Sequence, residues 1–398
     1  MSTLSMSPDG SAAPQSAARS ASPAQSPTGD PWLLTPGPLT TSPSVKQAML
    51  HDYGSRDAHF IAINKRIREQ LLVIIEGEED FVAVPLQGSG TFSVEAMITT
   101  FLPRDGKLLV LVNGAYGSRI VKICQVAGLP FTTLEWPEDR PVDPGQVDAA
   151  LAQDAAISHV AIIHCETTSG ILNPLKEVAD VVARHGRRLL IDSMSAFGAL
   201  PVSAKELQFD AVAASSNKCL EGVPGMGFVL ARRSALQACQ GNCRALTLDL
   251  YDQWVAMEKT KQWRFTPPTH CIVAFDQAVT EFVAEGGVAG RGGRYRENCR
   301  LLVDGMRALG FQTLLPDALQ APIIVTFHQP GDDKFSFQDF YDRLRACGYV
   351  IYPGKLTVAD SFRIGCIGRL GGAEIRGALA AIKEILAETG VTQTAPAA

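Results

Sequence analysis

Lys218 closes the run DAVAASSNK. Lysine is the side chain that forms Schiff bases with carbonyl compounds, and it does so best when partly desolvated. The run before it is small and apolar, and Pro224-Gly225 soon after imposes a turn. A lone lysine is ordinarily a solvated surface charge; one at the mouth of a buried strand is not. Asp192 stands 26 residues earlier, at the end of RLLI. Ligands of open α/β sheets collect outside such strand ends. A carboxylate there must be paired or hydrogen-bonded, because burying it alone is costly. A helix cap or a loop carboxylate would read the same way. Gly88-Ser89-Gly90-Thr91 lies where a strand hands over to a helix. The first N–H groups of a helix lack internal partners, and the dipole makes that end positive. Glycines admit an anion to the backbone, and the hydroxyls add donors, so the stretch can seat a phosphate. It is neither a P-loop nor GxGxxG, and a plain tight turn remains an alternative.

The three features suit one cofactor. Pyridoxal phosphate needs a phosphate cradle, a carboxylate against its pyridinium nitrogen and a lysine for its aldehyde. Its ring also needs a stacking face. Tyr116, in NGAYGSR after another strand end, can supply one or can be a core aromatic. Arg363 lies among apolar residues and glycines in SFRIGCIG, an odd place for a solvated charge. It reads as an anion anchor or as half of a structural ion pair. His159 and His164 flank one strand without HExxH or a cysteine pair, so they read as satisfied or exposed histidines, not metal ligands.

Alternating strands and helices must position these residues. FVAVPLQ, KLLVLVNG, HVAIIHCE, RLLIDSMS, DAVAASSNK and GMGFVLARR read as strands. Helices are predicted over 43–51 and 59–76, in TFSVEAMITTFL, in SRIVKICQVAG and in KEVADVVARHG. The alternation predicts a mostly parallel sheet covered by helices on both faces. EGGVAGRGGRY, over 285–295, reads as a boundary or helix-start loop. Beyond it come an amphipathic helix with Tyr295, Cys299, Leu302, Val303 and Met306 on one side, strands at APIIVTFH, YVIYP and SFRIGCIG, and helices capped by Ser336 and over 373–388. This mixture predicts a smaller α+β domain. The division expected is a disordered Ser/Ala/Pro-rich tail over 1–30, a large domain over 31–285 whose first residues, 31–50, form an arm, and a small domain over 286–398.

Composition narrows the function classes. With 398 residues, 46% of them hydrophobic, the chain can bury a sizeable core. No apolar run approaches the ~18–20 residues that span a bilayer. A net charge of −5 argues against non-specific nucleic-acid binding. The nine cysteines are scattered and form no CxxC pair; Cys239 and Cys243 are the closest and have no histidine at metal-ligand spacing. A reduced, cytoplasmic protein is expected.

At this point several stretches match a known family. LLTPGPLTTS, LQGSGTFSVEA, NGAYGSRIVKI, HCETTSGILNPL, IDSMSAFGALP, SSNKCLEGVPGMGFV, QWRFTPPTH and VIYPGK followed by SFRIGCIG closely resemble 2-aminoethylphosphonate–pyruvate transaminases. These belong to the alanine–glyoxylate branch of fold-type-I, class-V aminotransferases, and the resemblance runs from about residue 32 to 390. It implies a seven-stranded, mostly parallel sheet in the large domain, pyridoxal 5'-phosphate as cofactor and a homodimer. Its small-molecule substrates would be 2-aminoethylphosphonate and pyruvate, with no nucleic acid and no membrane as partner. Lys218 would be the Schiff-base lysine, and Asp192 would bond the ring nitrogen. Ser89, Gly90 and Thr91 would hold the phosphate. Tyr116 would stack on the ring, where relatives often carry Trp. Thr167 would contact the 3-hydroxyl side, and Asn217 would help hold phosphate or ring. Thr266 would reach across the dimer to the neighbour's phosphate. Arg363 would bind the carboxylate of pyruvate or alanine and the phosphonate, since a guanidinium fork matches paired anionic oxygens.

One block departs from the pattern. Family members often carry Trp-Asp where this chain reads Gly54-Ser55-Arg56-Asp57. Arg56 resembles the alanine–glyoxylate relatives and could add a second anion contact at the substrate mouth. An alanine/serine–glyoxylate aminotransferase is therefore the nearest rival. Cysteine desulfurase chemistry would need a reactive cysteine on a mobile loop, whereas Cys347 and Cys366 fall in predicted elements. A non-catalytic ligand sensor is disfavoured by having both Lys218 and Asp192.

Overall fold

The computed structural model describes residues 23–354 and 358–397. Seven strands form the central sheet in the order Phe81–Gln87, Met226–Arg232, Ala211–Ser215, Arg188–Asp192, Ile157–Ile163, Lys107–Val112 and Phe131–Glu135. All neighbours run parallel except Met226–Arg232, which is antiparallel to both of its own. Parallel strands joined by helical crossovers have both faces covered, so their sequences read as continuous apolar runs. Ala211–Ser215 is buried throughout, and Arg188–Asp192 is buried apart from its first residue. One core packs each face of the sheet: Leu109, Ile162, Ile191 and Phe228 on one side, Val84, Val110, Ile163 and Val229 on the other.

The seventh strand, Phe131–Glu135, was not among the runs recognised in the sequence. Among the described residues it forms an edge and pairs only with Lys107–Val112, and it is half-exposed, so FTTLE carries no apolar run. The helix Thr269–Ala284 also escaped recognition, although it buries Ile272, Phe275 and Val279 against the sheet.

The smaller unit is built on an antiparallel sheet of Ile324–His328, Ser361–Gly365 and Tyr352–Pro353. Its core gathers Phe311, Phe327, Phe340 and Phe362 with Ile375, Ile382 and Leu302. The helices Gly287–Ala308, Phe337–Ala346 and Gly372–Thr389 cover it. Tyr295, Cys299, Leu302, Val303 and Met306 are all buried, as the helical period predicts.

Two details differ from the division expected. The glycine-rich stretch is mostly helix. Gly286 (φ +98°) and Gly287 (φ +63°) make the turn, and the helix then runs from Gly287 to Ala308. Residues 1–22 of the tail lie outside the described residues, but 23–30 are placed against the small unit. There Ala24 N donates to Cys347 O at 2.9 Å and Ser26 is buried. The start of the arm belongs to the small core too: Leu34 is packed in it, and Trp32–Leu33 pairs in parallel with Tyr349–Val350. Short peptide segments join a sheet edge through main-chain bonds that composition does not reveal. Among the described residues no helix is long and apolar enough to cross a membrane.

Candidate active site

Four strands deliver the site. Phe81–Gln87, Lys107–Val112, Arg188–Asp192 and Ala211–Ser215 point the same way, so their carboxyl ends reach one edge of the sheet. The chain order reverses in this region, which leaves the crevice where α/β sheets bind ligands. A cavity of about 510 Å³ opens there, lined by Gly88 to Thr91, Tyr116, Asp192, Asn217 and Lys218, with Arg119 and Ser215.

Gly88 follows the first strand with φ +123°, a conformation that favours glycine. Ser89 then caps the helix Gly90–Phe101 without spending its side chain on the cap. The helix start thus faces the cavity with main-chain N–H groups and two hydroxyls. Arg119 Nη1 donates to Thr91 Oγ1 at 3.4 Å and its guanidinium lies 4.6 Å from the Tyr116 ring centre. Tyr116 and Arg119 are three residues apart on one helix and so share a face.

Asp192 ends its strand with its side chain buried, and Oδ1 accepts the Met194 N–H at 2.9 Å. Burial pushes its carboxyl up to about 6; the Met194 N–H opposes that shift, the Glu166 charge adds to it, and Arg119 and Lys218 oppose it. Lys218 donates from Nζ to Pro36 O at 2.7 Å and to Gly37 O at 3.2 Å. Burial pushes its amine down to about 8, against the pull of Asp192. An amine so placed is neutral in a usable fraction near neutral pH.

Thr167 adjoins a narrower space shared with Tyr116, Asp192 and Lys218. Its carbonyl accepts from Arg363 Nη1 at 2.8 Å. Arg363 is buried, also donates to Pro353 O, and makes no ion pair with a carboxylate among the described residues. Burial lowers its pKa, while Tyr116, Tyr352 and Glu166 raise it. Thr266 is exposed, on a separate groove beside Phe92 and Trp263. Arg56 is exposed in the turn before the helix Ala58–Ile74 and does not line the cavity.

The residues present fit pyridoxal phosphate. An anion seat, a buried carboxylate and a buried amine open on one cavity, and Ser215 Oγ is buried at its wall with no hydrogen-bond partner among the described residues. Several of these residues carried no expectation from the sequence. Arg119 had a usable signal, its spacing from Tyr116. The Pro36 and Gly37 carbonyls had none, because main-chain acceptors look alike in every sequence. Glu166 is buried and accepts from Thr168 N (3.0 Å), Thr168 Oγ1 (2.6 Å), Tyr116 N (3.1 Å) and Gly117 N (3.3 Å).

His159 and His164 bond Ser158 and Ser193, and burial lowers both to about 4. Among the described residues no group of three His, Cys, Asp or Glu could hold a metal ion. Cys347 and Cys366 are buried.

The family model for class-V aminotransferases matches residues 44–347. The chain is similar to 2-aminoethylphosphonate–pyruvate transaminase 2 of Burkholderia lata, 58% identical over 91% of this chain and 96% of the relative. It is 56% identical to 2-aminoethylphosphonate–pyruvate transaminase 1 of a Polaromonas species, over 92% and 98% of the two chains. Among solved structures, the fold resembles pyridoxamine–pyruvate aminotransferase of Mesorhizobium loti, with a TM-score of 0.83 at 22% identity over 92% and 95% of the chains. It also resembles ureidoglycine–glyoxylate aminotransferase of Bacillus subtilis, with a TM-score of 0.82 at 21% identity over 91% and 94%.

Proposed function

The chain belongs to the class-V aminotransferase family, and from that premise we propose that it transfers the amino group of 2-aminoethylphosphonate to pyruvate, giving phosphonoacetaldehyde and L-alanine. The meeting of Lys218, Asp192 and Gly88–Thr91 at one cavity carries this reading, together with relatives of that name at 55–58% identity.

When bound, pyridoxal phosphate supplies an aldehyde for the donor amine and a ring that accepts the electron pair of the broken C–H bond. Ser89, Gly90 and Thr91 hold its phosphate, with Arg119 adding positive charge. Asp192 would face the ring nitrogen and keep it protonated. Tyr116 would offer the ring a stacking face, Thr167 would meet its 3-hydroxyl side, and Asn217 would steady it beside the lysine. Lys218 would hold the aldehyde, and its Nζ, when free, would accept the proton from the substrate carbon bearing nitrogen. A lowered pKa suits that task.

The two substrates visit in turn, so one anion site must take both. Arg363 suits it: a buried guanidinium that among the described residues is bonded to carbonyls and to no carboxylate keeps its charge for a phosphonate or a carboxylate. Arg56, exposed and outside this chain's own cavity, would add a second anion contact at the mouth only from the neighbouring subunit of a homodimer. In a cytoplasmic homodimer, Thr266 would contact the phosphate of the neighbouring subunit, a role consistent with its exposure in the single chain.

A half-reaction tests this. The loaded protein is mixed with 2-aminoethylphosphonate and no keto acid, and its absorption spectrum is followed. Conversion of the aldehyde-state band to the aminated-cofactor band, reversed by pyruvate, is expected. Conversion by alanine or serine but not by the phosphonate would move the enzyme to the alanine/serine–glyoxylate side. No aldehyde-state band after adding pyridoxal phosphate would overturn the reading of Lys218.

A further inference from the structure

We propose that Glu221, Arg294 and Tyr295 are positioning residues that fix the turn carrying Lys218 against the segment leaving the Arg363 strand; this rests on the roles given above to Lys218 and Arg363. Lys218 O accepts from Glu221 N at 2.8 Å, closing the turn. Glu221 has φ +56°, a left-handed conformation that non-glycine residues keep only where the surroundings over-determine it. Its carboxylate supplies that constraint. Glu221 is buried, and its Oε1 accepts from Tyr295 OH at 2.6 Å and from Arg294 Nη2 at 2.7 Å.

The same two residues hold the other partner. Arg294 Nη1 donates to Gly368 O at 2.6 Å and Leu370 O at 2.9 Å, and Tyr295 OH accepts from Gly368 N at 3.2 Å. Gly368 lies five residues beyond Arg363. Neighbouring positions of the helix reinforce both ends. Arg291 Nη1 donates to Cys219 O at 2.5 Å, and Asn298 Nδ2 donates to Cys366 O at 3.1 Å. Residues three, four and seven apart share one face of a helix, so one face of Gly287–Ala308 grips both segments.

This gives the glycine-rich stretch a purpose. A Cβ on Gly292 would stand 2.3 Å from Ala199 O, so the helix can press against that backbone only without one. A buried charge network stabilises no better than well-packed apolar side chains of similar volume. What it adds is direction: Glu221 Oε1, Tyr295 OH and Arg294 Nη1 each have two partners at fixed positions, although Glu221 Oε2 and Arg291 Nη2 are buried without one among the described residues. Direction matters where an amine and an anion anchor must be held at a fixed separation, since a misplacement of about 1 Å can cost about a hundredfold in rate.

Tyr295→Phe and Arg294→Lys test the proposal, with Lys218→Ala as the control. Two quantities are read: in cofactor-free protein, the rate at which an amine-directed acylating reagent labels Lys218 relative to Lys122, by peptide mass spectrometry; in the loaded enzyme, kcat/KM for 2-aminoethylphosphonate. The labelling ratio is expected to change more than about twofold, and kcat/KM to fall about tenfold or more. If either quantity stays within about twofold of the unmodified protein, the proposal fails and the cluster only stabilises the fold. Tyr295→Phe deletes one hydroxyl and no charge, so it decides alone where Arg294→Lys does not fold. Turnover retained by Lys218→Ala would overturn the role of Lys218 instead, whatever the other variants do.

Discussion

Lys218 and Pro36 are 182 residues apart in the chain, yet Nζ of the one donates to the carbonyl of the other at 2.7 Å. The first residues of the arm, 32–40, therefore lie on the Lys218 amine and also on the small unit, where Gly365 N donates to Leu34 O and Arg369 N to Thr40 O. Gly37 makes this approach possible. It has φ +105°, and a Cβ there would stand 2.6 Å from Lys218 Cδ.

Gly37→Ala is expected to destabilise the protein by about 1–3 kcal/mol from backbone strain alone. It should also displace the lysine side chain and lower turnover by about tenfold or more. Calorimetry and steady-state rates check both. Unchanged turnover would show that the arm does not constrain Lys218.

Asp192→Asn separates stability from catalysis. Burial pushes the carboxyl of Asp192 up to about 6 in the folded protein, against an ordinary value of 3.8. The folded state therefore binds the extra proton between those values, and stability falls as pH rises from about 4 through about 6. Above that range the buried charge is a standing penalty. In cofactor-free protein near pH 7 the asparagine variant is expected to gain on the order of 1–3 kcal/mol. Its turnover should fall by about a hundredfold or more, because the ring nitrogen loses its anion. Denaturation of both proteins at pH 4 and pH 7 gives the comparison, and a gain that is the same at the two pH values would refute the burial argument.

Arg363→Lys keeps a charge and loses the fork. KM is expected to rise about tenfold or more for both 2-aminoethylphosphonate and pyruvate, at the magnitude of one charge-assisted hydrogen bond. A rise for only one of them would mean that the substrates do not share this anchor.

Glu166→Ala removes the acceptor at the start of the helix Ala115–Ala127. The N-cap there, Gly114, has no side chain to offer, so the carboxylate does the capping for Tyr116 and Gly117 from another strand end. A loss of about 1–3 kcal/mol is expected for the donors left unpaired. Cofactor affinity should drop with it, because Tyr116 and Arg119 ride on that helix. Equilibrium dialysis with pyridoxal phosphate measures the second effect; unchanged affinity would confine Glu166 to folding.

Much of this protein is legible in the sequence for physical reasons. Buried parallel strands need apolar side chains on both faces, so KLLVLV and RLLID announce themselves. The glycines and hydroxyls of Gly88-Ser89-Gly90-Thr91, the carboxylate of Asp192 and the amine of Lys218 are rare chemistry at strand ends, and rarity makes them visible. The half-exposed strand Phe131–Glu135 and the placement of residues 23–30 were not visible, because edge pairing uses main-chain groups that every residue carries.

The tertiary structure alone decided the rest. Side-chain identity named Lys218, but folding placed it under the Pro36 carbonyl and set its amine down to about 8 by burial. Arg363 could have been an ion pair by sequence; only its surroundings show a guanidinium bonded to carbonyls. Glu221 drew no notice as one more acid in CLEGVPG, until the Gly287–Ala308 helix brought Arg294 and Tyr295 to it from 73 and 74 residues away. A residue's type fixes which protons and charges it can carry. The dielectric, the partners and the distances that make use of them come from chain segments that sequence order keeps far apart.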